Sequence, residues 1–215
     1  MIARRLVLVG GLGTLVGCAS SPPVRLHLLA VEVDRPLQPP LGRPVVLGVG
    51  PIEVVDYLER PEIVTRRGRT GLDLAESDRW AERFEVMLAR TLRESLARLL
   101  ATDAVVELPS DRALEPELRL ELQVLRFEAE AAAETTARPD RVVLEARWLV
   151  LPGAGDRSLR LERSTLEEPI EGEGAEAAVA AMSRALGGLA RILAEAVRAE
   201  LARRTARPAT RRTSP

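Results

Sequence analysis

The sequence predicts an α+β fold, in which a mostly antiparallel sheet carries two long helices packed on one face. Two segments repeat apolar residues at helical spacing, one at about 78–100 and one from about Ala175 to Arg203. The segments before and between them have the two-residue alternation of β-strands. Runs of strands interrupted by only two helices are typical of an α+β sandwich rather than of an alternating α/β fold.

The first predicted strand covers residues 24–33, where Leu26, Leu28 and Ala30 share one side. Such alternation is the β-strand pattern. A loop rich in proline follows at 34–44. We expect this part of the chain to contribute one strand and a long connection.

The next segment, 45–54, is apolar almost throughout, as in a strand that is buried on both faces. Pro51 is expected to end this strand. A third strand is predicted at 62–66, directly after Pro61. Because proline has no N–H to donate, Pro61 must lie at an edge, a bulge or a strand start.

The first helix is predicted to begin near Trp80, because Ser77 and Asp78 are favourable N-cap residues. An apolar stripe then recurs at steps of three and four residues, which is typical of a helix packed on a sheet. The stripe consists of Trp80, Phe84, Met87, Leu88, Thr91, Leu92, Leu96, Leu99 and Leu100. The second helix is rich in alanine and contains Gly187 and Gly188, which permit a close approach to a neighbour or a bend.

Four further strands are predicted between the helices, and the last three of them form an antiparallel meander. They cover 105–108, 118–124, 141–151 and 157–163, with a turn at 152–156. The alternation slips at Leu125 and Phe127. This slip indicates a bulge or a strand end.

The N-terminus has the pattern of a lipoprotein signal peptide over residues 1–17. Arg4 and Arg5 precede an apolar segment, 6–16, that is too short to span a bilayer. It ends in Leu-Val-Gly-Cys, the lipobox pattern of bacterial lipoproteins, and Cys18 is the only cysteine of the chain. We therefore expect lipidation at Cys18. An ordinary secretory signal or a buried helix with a chance cysteine is the alternative.

Cleavage before Cys18 would leave a mature chain outside the cytoplasm, with a tether at 18–24, one folded domain at 25–203 and a disordered basic tail at 204–215. The tail is rich in arginine, threonine and proline and has little apolar content. It is either a solvated extension or a contact for anionic lipid or cell wall. Ala19, rather than aspartate, follows the cysteine, which by the enterobacterial sorting rule indicates the outer membrane.

The residue types argue against catalysis, and no cofactor or metal is expected. His27 is the only histidine and Cys18 would be acylated, so neither a zinc site nor a Ser-His or Cys-His nucleophile can be assembled. No GxxxxGK[ST] phosphate loop occurs. Aromatic residues are 2% of the chain, too few for the stacking platforms that nucleic acids and sugars require. Carboxylates are numerous enough for a glycosidase, but those platforms are scarce.

The stretch DYLERPEIVTRRG, residues 56–68, holds the only tyrosine. The chain here is expected to leave the sheet, to expose or loosely pack Tyr57 and Leu58, and to re-enter at Ile63. One interpretation is a small core in which Tyr57, Leu58 and Trp80 cap the end of the sheet. The other is a docking surface, since aromatic and arginine side chains are enriched in interfaces.

Three stretches make the chain resemble the PqiC-type family of ABC-type transport auxiliary lipoproteins, which are associated with mammalian-cell-entry (MCE) lipid transport systems. They are YLERPEIVTR, DRWAERFEVMLARTLRESLARLL at 78–100 and AAVAAMSRALGGLARIL at 177–193. The resemblance spans roughly 25–200. It implies a small domain on the periplasmic side of the outer membrane that assists an MCE-domain protein in moving hydrophobic molecules. It also implies contact with that protein, a homo-oligomeric ring and no catalysis.

The residues that carry most of this resemblance are expected to form the partner-docking surface. They are Tyr57, Leu58, Arg60, Pro61, Ile63, Arg66, Arg79 and Trp80. Two other functions remain open. One is a carrier that holds lipid in its own apolar cavity between sheet and helices, and the other is a structural envelope lipoprotein whose tail binds the cell wall.

Overall fold

The computed structural model describes residues 23–109, 115–131, 138–153 and 161–206. Within these ranges the chain forms eight strands and two α-helices. In chain order they are β1 (Arg25–His27), β2 (Leu47–Val54), β3 (Glu62–Arg67), β4 (Gly71–Trp80), α1 (Phe84–Leu100), β5 (Val105–Glu107), β6 (Leu118–Glu130), β7 (Arg141–Pro152), β8 (Glu162–Pro169) and α2 (Gly174–Ala206). A 3-10 turn at Asp56–Leu58 joins β2 to β3. The predicted signal peptide, Cys18 and residues 207–215 of the predicted tail lie outside the described residues.

All eight strands belong to one mixed sheet built around the long strand β6. One edge of β6 pairs with β7, which pairs with β8, and both pairings are antiparallel. The other edge pairs in parallel with β2 and then, farther along, with β3. The sheet is completed by β5 beside β2, and by β4 and β1 beyond β3. Most paired residues are antiparallel, so the predicted α+β class with a mostly antiparallel sheet is confirmed.

The two predicted helices are both present. Helix α2 packs on β6, β7 and β8 and against α1, while α1 contacts β2 and β5. A Cβ on Gly187 would lie 2.7 Å from the backbone oxygen of Glu32, and one on Gly188 would lie 2.6 Å from Leu166 Cδ2. The glycine pair therefore permits α2 to approach both neighbours closely. Although α2 is long and apolar enough to cross a membrane, about two thirds of its apolar 18-residue stretch is buried in the fold, as in a core helix. That both helices pack on a single face stays a prediction.

The first helix begins later than predicted. Ser77, Asp78 and Trp80 belong to β4, and α1 begins at Phe84. Asp78 is not a helix cap, because its carboxylate bonds at 2.8 Å to both Arg25 and His27 of β1. The predicted cap was wrong, whereas the apolar stripe from Phe84 to Leu100 is buried as expected.

The first predicted strand is also shorter than expected. Only Arg25–His27 pair with β4, so the strand predicted at 24–33 was too long. The side that carries Leu26 and Leu28 is exposed, and the core instead receives Leu29 and Val33 from the irregular segment that follows.

Two further strand boundaries differ from the predicted ones. Pro51 does not end β2, which continues to Val54 through a register shift between Val49 and Ile52. The last strand begins at Glu162 rather than at 157, and residues 154–160 lie outside the described part of the chain. The slip near Leu125 is confirmed as an irregularity, since the β6–β7 register shifts between Val124 and Arg126.

Candidate functional site

The segment 56–68 leads from β2 into β3, and both of these strands pair with β6. β2 follows β6 as far as Val124, and β3 returns to β6 at Ala129. Between them the chain makes the 3-10 turn at Asp56–Leu58, in which the N–H of Glu59 donates to the oxygen of Asp56 at 3.1 Å. The irregularity of β6 lies at the same level, and such bulges increase the local twist of a strand. This segment therefore places Tyr57 over the bulged part of β6.

Tyr57 lies against a buried carboxylate. Its hydroxyl donates to Glu128 Oε2 at 2.8 Å, and Glu128 has 0% exposure. Arg66 Nε and Arg126 Nε donate to Oε1 at 2.6 and 3.0 Å, and the N–H of Phe127 donates to Oε2 at 2.9 Å. Four hydrogen-bond donors therefore offset the free-energy cost of removing the Glu128 carboxylate from water, as a buried carboxylate requires. The Arg66 guanidinium also lies 5.9 Å from the centre of the Tyr57 ring.

A second carboxylate on the same side of the sheet, that of Glu130, is also paired with arginines. Arg126 and Arg141 donate to its two carboxylate oxygens at 2.5 and 2.7 Å. Burial would raise the pKa of Glu130, but the hydrogen bonds from Arg141 and Arg126 outweigh it, so that the pKa lies below its ordinary value. The pKa of Tyr57 is raised, first by burial and then by the charge of Glu128. Tyr57 therefore remains a protonated donor at neutral pH.

Three of the predicted docking residues belong to the core. Leu58, Ile63 and Trp80 are buried, with exposures of 3, 3 and 6%. The Trp80 ring is centred 5.2 Å from that of Phe84, and the N–H of Trp80 donates to the oxygen of Pro61 at 2.7 Å. These contacts match the interpretation of a small core that caps the end of the sheet. Leu58, Ile63 and Trp80 therefore support the surface from below and are not open to a partner.

The outer part of the segment consists of Arg60, Pro61 and Arg79. Pro61 is exposed and both arginines are half-buried. Their Nε atoms are buried and have no hydrogen-bond partner among the described residues. The Arg79 side chain is 43% exposed and lies 4.0 Å from Glu62, so a partner's acceptor could reach its guanidinium. The exposed part of the predicted docking surface is therefore cationic.

Glu128 is the residue of this site that the sequence analysis missed. Its two long-range partners, Tyr57 and Arg66, lie 71 and 62 positions away in the chain. Nothing in the local pattern marks the residue as buried, because an alternating strand places it on the polar side. The one usable signal was the lone tyrosine, whose hydroxyl needs a partner when it is buried.

Several open clefts of the described residues lie away from this site, and some of them border the helices. One of about 1040 Å³ borders the end of α1 and the loop at 40–44, with Arg43, Arg93 and Glu107 in its mixed polar and apolar lining. Another of about 200 Å³ lies between β7 and α2, beside Trp148 and Ala196. Neither cleft includes a predicted docking residue. In the part of the chain that the structure describes, no group of three or more His, Cys, Asp or Glu side chains could hold a metal ion.

The comparison with protein families decides the class of the molecule. The family model described as the ABC-type transport auxiliary lipoprotein component matches residues 27–194, from the end of β1 well into α2. The chain belongs to this family. The resemblance seen in the sequence is thereby confirmed, and every predicted docking residue of this auxiliary lipoprotein lies within the matched range.

Solved structures show the same fold. The auxiliary lipoprotein resembles protein XCC0632 from Xanthomonas campestris with a TM-score of 0.70 at 18% identity, over 84% of this chain and 99% of that one. A second crystal structure, of an uncharacterized protein, gives a TM-score of 0.63 at 19% identity, over 82% and 99% of the two chains. No match was found among curated proteins. The family description indicates association with an ABC-type transport system and anchoring to a membrane.

Proposed function

We propose that this auxiliary lipoprotein is a non-catalytic component of an MCE lipid transport system. In this proposal it is anchored through Cys18 to the periplasmic face of the outer membrane and docks on an MCE-domain protein. The observation that carries the proposal is the family match over 27–194. The lipobox at residues 15–18 supports the anchor, since it places the only cysteine where lipidation requires it.

The docking surface we propose is smaller than the sequence predicted. Arg60, Pro61 and Arg79 form its outer part, with Tyr57 and Arg66 at its border with the buried carboxylate. The Arg79 side chain is 43% exposed, so its outer guanidinium nitrogens can receive a partner's carboxylate. Hydrogen bonds to a charged group contribute about 1.5–3 kcal/mol. The surface therefore fits an acidic patch on the MCE-domain protein.

The absence of catalysis is part of the proposal and is supported by the state of the polar groups. Glu128 is held by four donors, and Tyr57 has a raised pKa, so neither offers a free base or nucleophile. His27 shares the carboxylate of Asp78 with Arg25. That arrangement fastens β1 to β4, and we assign it a structural role.

The test is a pull-down of a purified MCE-domain partner by the detergent-solubilised lipoprotein. Arg60→Glu and Arg79→Glu should each weaken binding about tenfold or more, because each places a negative charge where the partner's carboxylates would lie. Arg191→Glu, at an exposed position of α2, is the matched control and should bind as the parent protein does. Circular dichroism and urea unfolding would establish that the variants are folded.

Unchanged binding by folded Arg60→Glu and Arg79→Glu variants would reject this surface. Phospholipid that co-purifies in stoichiometric amounts from delipidating detergent would instead favour the carrier. Loss of envelope retention on deletion of residues 207–215 alone would favour the structural lipoprotein that binds the cell wall.

A further inference from the structure

The most exposed aliphatic side chains of the described residues lie in and beside β1. Val24, Leu26 and Leu28 are 53, 65 and 52% exposed. In the described part of the chain, Leu161 is the only other large hydrophobic residue that is more than half exposed. Single aliphatic residues are common on protein surfaces, whereas grouped ones mark contact sites. The group at β1 is therefore a candidate contact surface.

The backbone of β1 has one unpaired edge. β1 is the last strand on its side of the sheet and pairs with β4 alone among the described strands. The oxygen of His27 accepts a hydrogen bond from the N–H of Ala81 at 3.0 Å, so His27 directs its backbone groups toward β4. Neighbouring residues of a strand direct these groups to opposite edges. The N–H and C=O of Leu26 therefore point to the free edge.

Such an edge can accept another strand. Unpaired N–H and C=O groups are a template for pairing, and proline is one of the residues that block it. Residues 24–28 contain no proline. Extended segments of partner proteins bind edges of this kind through main-chain hydrogen bonds, and alternate side chains give the specificity. Because β1 has only three residues, the side chains must supply much of the affinity.

The two faces of β1 determine which side chains an added strand should carry. Leu26 pairs with Arg79 and shares its face. Arg25 pairs with Asp78 on the other face, and its side chain is 67% exposed although it donates to Asp78 at 2.8 Å. An added strand should therefore place apolar residues beside Leu26 and acidic residues beside Arg25. Because successive residues of a strand point to opposite faces, the two types should alternate.

We propose that the free edge of β1 accepts an alternating apolar and acidic strand of the MCE-domain partner. This inference rests on the proposed function and deepens it. The edge is continuous with the proposed docking surface, since Leu26 lies directly opposite Arg79. A second copy of β1 centred on Leu26 fits less well. It would place Arg25 opposite His27 or opposite the same arginine of the other copy, and would bring no carboxylate to it.

The test compares two substitutions of Leu26 in the detergent-solubilised lipoprotein, titrated with the purified MCE-domain protein. Leu26→Ala removes the side chain and keeps the N–H, whereas Leu26→Pro removes both. Proline is tolerated where the N–H faces away from the sheet, and Arg25 and His27 continue to bond to β4. Leu26→Ala should weaken binding, and Leu26→Pro should bind about threefold or more weaker again. Leu161→Ala, at an equally exposed leucine, is the matched control and should bind as the parent does.

Hydrogen exchange of the parent protein provides a second measurement that does not depend on how the variants fold. The amide of Leu26 should exchange freely in the unbound protein, because it points to solvent. Saturation with the MCE-domain protein should slow its exchange about tenfold or more. Mass spectrometry of the peptide that covers 24–29 would follow this amide.

Equal binding by folded Leu26→Ala and Leu26→Pro, or unchanged exchange at Leu26, would overturn the inference. Self-association of the parent that Leu26→Pro abolishes would also overturn it, since a second copy would then occupy the edge. If Leu26→Pro binds normally and Arg79→Glu does not, this inference alone is wrong. The reverse result rejects only the cationic docking surface. A parent protein that does not bind the MCE-domain protein would reject both proposals.

Discussion

The hydroxyl of Tyr57 donates a hydrogen bond of 2.8 Å to Glu128, a carboxylate with no exposed surface. The single tyrosine of the chain therefore contributes first of all to the stability of the fold. It covers a charge that β6 buries beside its irregularity, and Arg66 and Arg126 neutralise that charge. The buried carboxylate therefore fixes the positions of Tyr57 and Arg66 at the border of the proposed docking surface.

Tyr57→Phe should lower the free energy of unfolding by about 1–3 kcal/mol, because it removes one donor from a buried charge. Urea unfolding at neutral pH measures the change. The loss should be smaller in a Glu128→Gln background, where the acceptor has no charge, and a double-mutant cycle would show this coupling. Equal losses in the two backgrounds would mean that the hydrogen bond does not contribute through the carboxylate.

The two glycines of α2 should respond differently to alanine. Either change gains up to about 1 kcal/mol of helix propensity. At Gly187 the new Cβ meets the backbone oxygen of Glu32 at 2.7 Å, whereas at Gly188 it meets the end of the Leu166 side chain at 2.6 Å, which can move. Gly187→Ala should therefore destabilise the protein by about 1–3 kcal/mol net, and Gly188→Ala by less. Thermal unfolding of the two variants in parallel checks the order, and the reverse order would contradict the packing described for α2.

Acid should weaken the fold through Glu130. Its pKa lies below the ordinary value in the folded state, because the hydrogen bonds from Arg141 and Arg126 outweigh the effect of burial. Its contribution to stability is therefore fully present above the unfolded pKa of about 4.3 and is lost as the pH falls through the folded pKa. Urea unfolding of the parent protein and Glu130→Gln between pH 6 and pH 3 should show a stability difference that shrinks with acid. A constant difference over that range would contradict this linkage.

The sequence was most informative where the signal is local and periodic. The stripe from Phe84 to Leu100 predicted a buried helix face, and the slip after Val124 predicted the irregularity in β6, because each is visible in a few successive residues. The alternation of 141–151 likewise predicted β7, in which Leu144 and Ala146 are fully buried.

It was least informative where distant residues decide the structure. Ser77 and Asp78 have the form of a helix cap, yet Asp78 pairs with Arg25 and His27, which lie 53 and 51 positions earlier. Those contacts turn the segment into β4, a strand whose sequence, GLDLAESDRW, has no continuous apolar side. Of the candidate site, the sequence identified Tyr57 and Arg66 but gave no means of separating buried Trp80 from half-buried Arg79. That separation depends on which face of β4 packs against Phe84.

The central claim is that a lipid on Cys18 holds this domain at a bilayer, where it meets a transport partner. Intact-mass spectrometry of the protein purified from the membrane fraction tests that claim most directly. The account predicts a chain that begins at Cys18 and carries the mass of several acyl groups. A chain that retains residues 1–17, or begins after them with an unmodified thiol, and is recovered from the soluble fraction would contradict it.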